Sequence, residues 1–180
     1  MRIVVSGTHA SGKSTLITDF AAVRPGYEVL PDPFEELEES ALDLDAGTFY
    51  SQLVLAAARL RGRRPGDRVI AERGPLDLLA YLRALDDLGR PTRSPGLLDR
   101  GAAITARAMA AVGLLVLLPL HHRDPIEVGD DEDPELRRAT DAALLDLADD
   151  PALTGGARIV ELAGSPEDRL ARLLDAAPSI

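Results

Sequence analysis

The sequence predicts a three-layer α/β domain on a mostly parallel sheet. Three observations carry this reading. Short apolar runs of strand length alternate with segments of helical period along the chain. The run Leu114 to Leu118 is unbroken, as a strand covered on both faces requires. A glycine-bearing loop joins the first apolar run to the first helical segment, and strand, loop and helix in that order are the repeating unit of such folds.

Taken in order, Ile3 to Val5 forms the first strand and ends in Ser6-Gly7, after which Leu16, Ile17, Phe20 and Ala21 recur at helical spacing. Tyr27 to Leu30 is the second strand, closed by Pro31-Asp32-Pro33 because proline cannot donate to a ladder and biases its predecessor to extended conformations. An acidic stretch, Phe34 to Asp45, precedes a helix from about Thr48 to Arg61. The turn-rich connection Arg61 to Asp67 leads to a third strand, Arg68 to Glu72. Pro75 suits the first turn of a helix reaching Leu88, with Gly89 as its cap. A further helix spans about Leu97 to Ala111, and Leu114 to Leu118 is the fourth strand. Polar, aperiodic sequence follows to Asp133, where Asp133-Pro134 opens a helix with Leu136, Thr140, Ala143, Leu144 and Leu147 on one face. Ile159 to Leu162 is the last strand, and Leu170, Leu173, Leu174 and Ala177 mark the last helix.

A chain of 180 residues with 46% apolar content suits one domain with a sizeable core, so residues 1–180 are expected to form a single unit. The net charge of −10 disfavours attraction to phosphate backbones and anionic lipid, which makes nucleic acid and membrane poor partners. The absence of an apolar run of about 18 residues and of a leader pattern points to a cytoplasmic protein. Without cysteine there is neither a thiolate nucleophile nor a thiolate zinc site, and His9, His121 and His122 are too poorly spaced to hold a metal. Of the 20 basic residues only Lys13 is lysine, which suggests a position where a compact ammonium cannot be exchanged for a planar guanidinium.

That lysine lies in the most specific motif of the chain. Gly7-Thr8-His9-Ala10-Ser11-Gly12-Lys13-Ser14 satisfies G-x-x-x-x-G-K-[ST] between a strand and a helix, the context that the motif requires. Its glycines let successive backbone N–H groups and the helix N-terminus converge on phosphate oxygens. Lys13 reaches the β- and γ-phosphates and the Ser14 hydroxyl ligates Mg²⁺, so the expected ligands are ATP or a related triphosphate with Mg²⁺. Thr15 contacts the α-phosphate or packs the helix, and His9 lies near the triphosphate.

With this loop, the Pro31-Asp32-Pro33 turn and the Glu72-Arg73-Gly74 turn in view, the chain resembles the P-loop kinases that include deoxynucleoside and thymidylate kinases. More closely, it is similar to the AAA family ATPases related to the kinase domain of the nicotinamide-nucleotide regulator. The resemblance implies a five-stranded parallel sheet in the order 2-3-1-4-5. It also implies roles. Asp32-Pro33 matches a Glu-Pro whose acid is the general base toward the acceptor hydroxyl; Asp is one methylene shorter, and Glu35 or Glu36 could substitute. Asp32 serves equally well as a turn residue between prolines. Glu72-Arg73 matches a Glu-Arg or Asp-Arg pair whose acid holds Mg²⁺ and whose arginine binds phosphate or fixes the base, with Gly74 where the deoxynucleoside kinases have Ser. Asp77 resembles an acid that touches the acceptor, and is also well placed to favour a helix N-terminus. A lid at about residues 119–138 would supply Arg123, Arg137 and Arg138 to the phosphates; adjacent arginines on a helix point about 100° apart, so one of the last two would serve. The acidic residues before Pro134 cap the helix that follows. Gly164 and Ser165, after the last strand, match the loop on which adenine rests, while Ser165-Pro166 also reads as a helix start.

Phe34, Phe49, Tyr50 and Tyr81 follow the second and third strands, where they either wall an acceptor with a planar ring or pack the core. Asp32, Glu35, Glu36 and Asp77 would take its hydroxyls or amines. The sequence thus points to a kinase acting on a nucleoside-like or other small metabolite, with a regulatory NTPase switch acting on a protein partner as the alternative.

Overall fold

The computed structural model describes residues 1–36, 45–64, 66–90, 95–120 and 133–177. Five strands, β1 (Arg2–Ser6), β2 (Glu28–Leu30), β3 (Val69–Glu72), β4 (Leu114–Leu117) and β5 (Arg158–Glu161), form one parallel sheet in the order β2-β3-β1-β4-β5. The helices are α1 (Lys13–Val23), α2 (Ala46–Arg61), α3 (Pro75–Asp87), α4 (Leu97–Met109), α5 (Pro134–Ala148), α6 (Pro151–Thr154) and α7 (Pro166–Ala176). Among the described residues no helix is long and apolar enough to cross a membrane.

Successive strand residues point to opposite faces, so an unbroken apolar strand feeds two cores at once. Ile3, Val5, Leu114 and Val116 meet Leu16, Ile17 and Phe20 of α1 and Leu173 of α7 on one face. Val4, Leu115 and Leu117 meet α2, α3 and α5 on the other. The register sets Val4 beside both Ala71 and Leu115, which centres β1 in the sheet. The chain winds from β1 to one flank and then to the other, and the loops at the carboxyl ends of β1, β2 and β3 gather at the crevice where ligands bind in such sheets.

Several boundaries differ from the sequence expectation for identifiable reasons. Asp45 accepts a hydrogen bond from the Thr48 N–H at 2.8 Å, so α2 begins two residues before Thr48. Tyr27 stays outside the ladder of β2 because its N–H closes a turn onto the Arg24 carbonyl at 3.1 Å, and its ring packs edge-on against Phe20, 5.1 Å between centroids. β5 begins at Arg158, whose N–H reaches the Gly113 carbonyl. The short helix α6 was not expected; Asp150 caps its start and Gly155, at φ +64°, ends it.

Candidate active site

The loop between β1 and α1 forms one wall of a cleft of about 490 Å³ lined by His9 to Thr15, Asp32, Phe34, Glu72 and Arg73. Two of its glycines are required by geometry. A Cβ at Gly7 would lie 2.8 Å from the Leu118 carbonyl oxygen, and Gly12 sits at φ +88°, where side chains are strained. Thr8 is fully buried beneath the loop, whereas Ser14 and Thr15 are exposed at its helical end.

Lys13 is buried, and its Nζ donates to the Thr8 carbonyl at 2.8 Å, which folds the ammonium back over the loop. Burial, seconded by repulsion from Arg73, lowers its pKa to about 8, against the opposing pull of Asp77, Glu72 and Asp32. The Ser14 hydroxyl donates to Glu72 Oε1 at 2.8 Å. Desolvation holds the Glu72 carboxyl above its usual pKa, opposed by that hydrogen bond and by Lys13. One hydroxyl and one carboxylate facing a phosphate cradle are the hard oxygen donors that suit Mg²⁺, which keeps much of its own water and needs few protein ligands. No cluster of three or more acidic, His or Cys ligands occurs among the described residues.

Across the cleft, Arg73 follows β3 at φ +59°, an uncommon conformation for a side chain of this size. Its Nε donates to Asp32 Oδ2 at 2.9 Å, and its guanidinium lies 5.2 Å from the Phe34 ring centroid and 5.4 Å from that of Tyr81. Its Nη1 is buried and has no hydrogen-bond partner among the described residues. Asp32 Oδ1 accepts the Phe34 N–H at 3.1 Å. Asp32 thus makes the turn through one oxygen and also lines the cleft.

Other expected acceptor groups lie elsewhere. Asp77 is turned into the interior, where Oδ2 accepts from the Ser6 hydroxyl at 2.6 Å and the Gly74 N–H at 2.8 Å, and Oδ1 from the Gly7 N–H at 2.8 Å. It closes the first turn of α3 and does not line the cleft, as the helix-terminus alternative anticipates. Desolvation raises its pKa against the pull of Arg73 and these three donors. Tyr81 is buried behind the wall, stacked on Phe49 at 4.5 Å with an interplanar angle of 7°, and Tyr50 packs half-buried against the same core. Glu35 falls in the single 3-10 turn Pro33–Glu36, and its side chain lies outside the described residues.

On the lid side, residues 121–132, including Arg123, are outside the described residues. Arg138 is exposed, and Arg137 is the arginine that turns to the loop: its Nε donates to the His9 carbonyl at 3.1 Å and its Nη2 to the Ala10 carbonyl at 3.3 Å. Sequence reasoning missed Arg169, whose Nη1 donates to the Ser11 carbonyl at 3.0 Å. Its one signal was its place in the first turn after the last strand. Gly164 and Ser165 are exposed and do not line the cleft; Ser165 caps α7 in a reciprocal box with Asp168.

Three solved structures align over nearly the whole chain. A thymidylate kinase from Candida albicans is similar at 16% identity and a TM-score of 0.69, covering 97% of this chain and 89% of the kinase. A deoxyadenosine kinase from M. mycoides, solved with dCMP and dCDP, gives 14% identity and a TM-score of 0.69 with 98% of each chain covered. The same enzyme with dATP bound gives 13% and 0.69, again with 98% of each chain covered. At such identities the likeness establishes the fold. No curated protein matches in sequence. A family model described as an AAA domain matches residues 2–169, which takes in every strand, the phosphate loop and the first turn of α7, and the chain accordingly belongs to the AAA domain family.

Proposed function

We propose that the protein is a P-loop kinase that moves the γ-phosphoryl group of ATP to a hydroxyl of a small, nucleoside-like acceptor. The observation that carries this reading is that one cleft holds the phosphate loop with Lys13 on one wall and the Asp32–Arg73 pair on the other. The kinases of similar fold, whose names give thymidylate and deoxyadenosine as substrates, lend it support.

The loop amides hold the triphosphate, and the Lys13 ammonium lies where charge builds on the transferring group. Ser14 and Glu72 would hold Mg²⁺, which neutralises phosphate charge when bound. The acceptor oxygen attacks the γ-phosphorus as the bond to the β–γ bridging oxygen breaks, and ADP leaves. The acceptor proton passes to the Asp32 carboxylate, whose oxygens keep acceptor capacity beside their existing bonds, and from there to solvent. Arg73 fixes Asp32 in that orientation through its Nε. Phe34 is the ring that lines the cleft, and it supports a planar acceptor.

The test is incubation with ATP, Mg²⁺ and a pooled library of nucleosides and small metabolites, read for products about 80 Da heavier by one phosphoryl group. Asp32→Asn should lower the transfer rate by about 10²-fold or more while ATP affinity changes little. Normal transfer by Asp32→Asn rejects the base. Phosphate release that no acceptor alters favours instead a regulatory NTPase switch.

A further inference from the structure

The phosphate loop is held on its outer side by two arginines from different helices. Arg137 of α5 donates to the carbonyls of His9 and Ala10, and Arg169 of α7 donates to that of Ser11. Each of these carbonyls shares a peptide unit with the next residue's N–H, so the three units end in the N–H groups of Ala10, Ser11 and Gly12. These residues line the cleft on the phosphate side. Between the two arginines, Ala10 sits at φ +51°, the left-handed region that costs an ordinary side chain free energy and that persists only where surroundings enforce it.

We infer that Arg137 and Arg169 are positioning residues that clamp the outer face of the phosphate loop, setting the inner amides for a nucleotide's phosphates without touching those phosphates. Resting on the reading of this loop as a nucleotide cradle, the inference replaces a phosphate contact for Arg137 with an indirect role and gives Arg169 a role for the first time. Two physical effects operate. A guanidinium on a carbonyl polarises the whole peptide unit and makes its N–H a stronger donor. The two charge-assisted bonds of Arg137 also offset the strain at Ala10, so the loop is already shaped before ligand arrives. The anchors are themselves fixed: Asp133 caps α5, and Arg90 beyond the end of α3 holds Asp133 and, at 3.0 Å, Glu135. At the other anchor, the Ser165–Asp168 box fixes the turn that bears Arg169.

Calorimetric titration of Mg·ATP and Mg·ADP separates this clamp from direct phosphate contact. In Arg137→Ala and Arg169→Ala, both nucleotides should weaken by about tenfold, with the ATP-to-ADP ratio held within about twofold, because every phosphate is bound by the same loop amides. Adding Ala10→Gly to Arg137→Ala should recover about fivefold, since glycine adopts a positive φ without the side-chain cost; a merely structural role would gain nothing from it. Where an alanine variant fails to fold, Arg137→Lys and Arg169→Lys serve, and a loss of about threefold for both nucleotides is expected because a point charge replaces the planar fork. Loss confined to ATP would make these arginines γ-phosphate contacts and overturn the clamp. So would unchanged affinities, or no recovery by Ala10→Gly. If the wild type itself gives no heat with either nucleotide, the cradle reading falls and takes the clamp with it; heat in the wild type that is indifferent to both arginines removes the clamp alone.

Discussion

Lys13 shows how a single residue is set against its own ionisation for a purpose. Buried among loop carbonyls and near Arg73, it has a pKa of about 8, below the usual 10.5. At every pH below about 8 the folded state therefore bears the full disadvantage of this ammonium, and stability gains as pH rises from about 8 toward 10.5. Nucleotide affinity runs the opposite way, because phosphate oxygens favour the charged form. Titrations at several pH values should show ATP affinity falling by up to about tenfold per pH unit above pH 8, with proton uptake visible as a heat that depends on the buffer. Lys13 and Ser14 were readable from letters because one motif fixes their spacing, whereas Glu72 was reached only through resemblance. Arg169 was not, since its contact with Ser11 spans 158 positions and is made by the fold alone.

At the scale of elements, the start of α3 ties the two halves of the cleft together. Asp77 takes one hydrogen each from Ser6, Gly7 and Gly74, so a single carboxylate joins the root of the phosphate loop to the turn that bears Glu72 and Arg73. Only an acceptor at both oxygens satisfies the two backbone donors. In Asp77→Asn the amide would face either the Gly7 or the Gly74 N–H, leaving one buried donor without a partner. Urea unfolding should report a loss of about 1–3 kcal/mol, and ATP binding should weaken with it. Asp77 had two readings, acceptor contact and helix start, and its three hydrogen bonds at the head of α3 set it inside the fold and off the cleft lining. The central strands β1 and β4 were legible because burial on both faces writes an unbroken apolar run. The four-residue α6 was not, because a single turn is too short to show a period.

For the molecule as a whole, the strand order 2-3-1-4-5 was expected from resemblance and is the order observed. Ligand binding should act on the whole domain through mass action. Mg·ATP at about 100 times its Kd contributes about 2.7 kcal/mol, which raises Tm by roughly 5–10 °C for a chain of 180 residues. A melting scan checks this, and Lys13→Ala should show no such rise.

The sheet also works as a partition. α1 and α7 share their packing on one side with no help from the helices that back Phe34 and Tyr81, which belong wholly to the other. On the proposed reading, substitutions in α2, and in α3 beyond the Asp77 that bonds to Gly7, would reshape the Phe34 wall while the packing of α1 against α7 stays as it was.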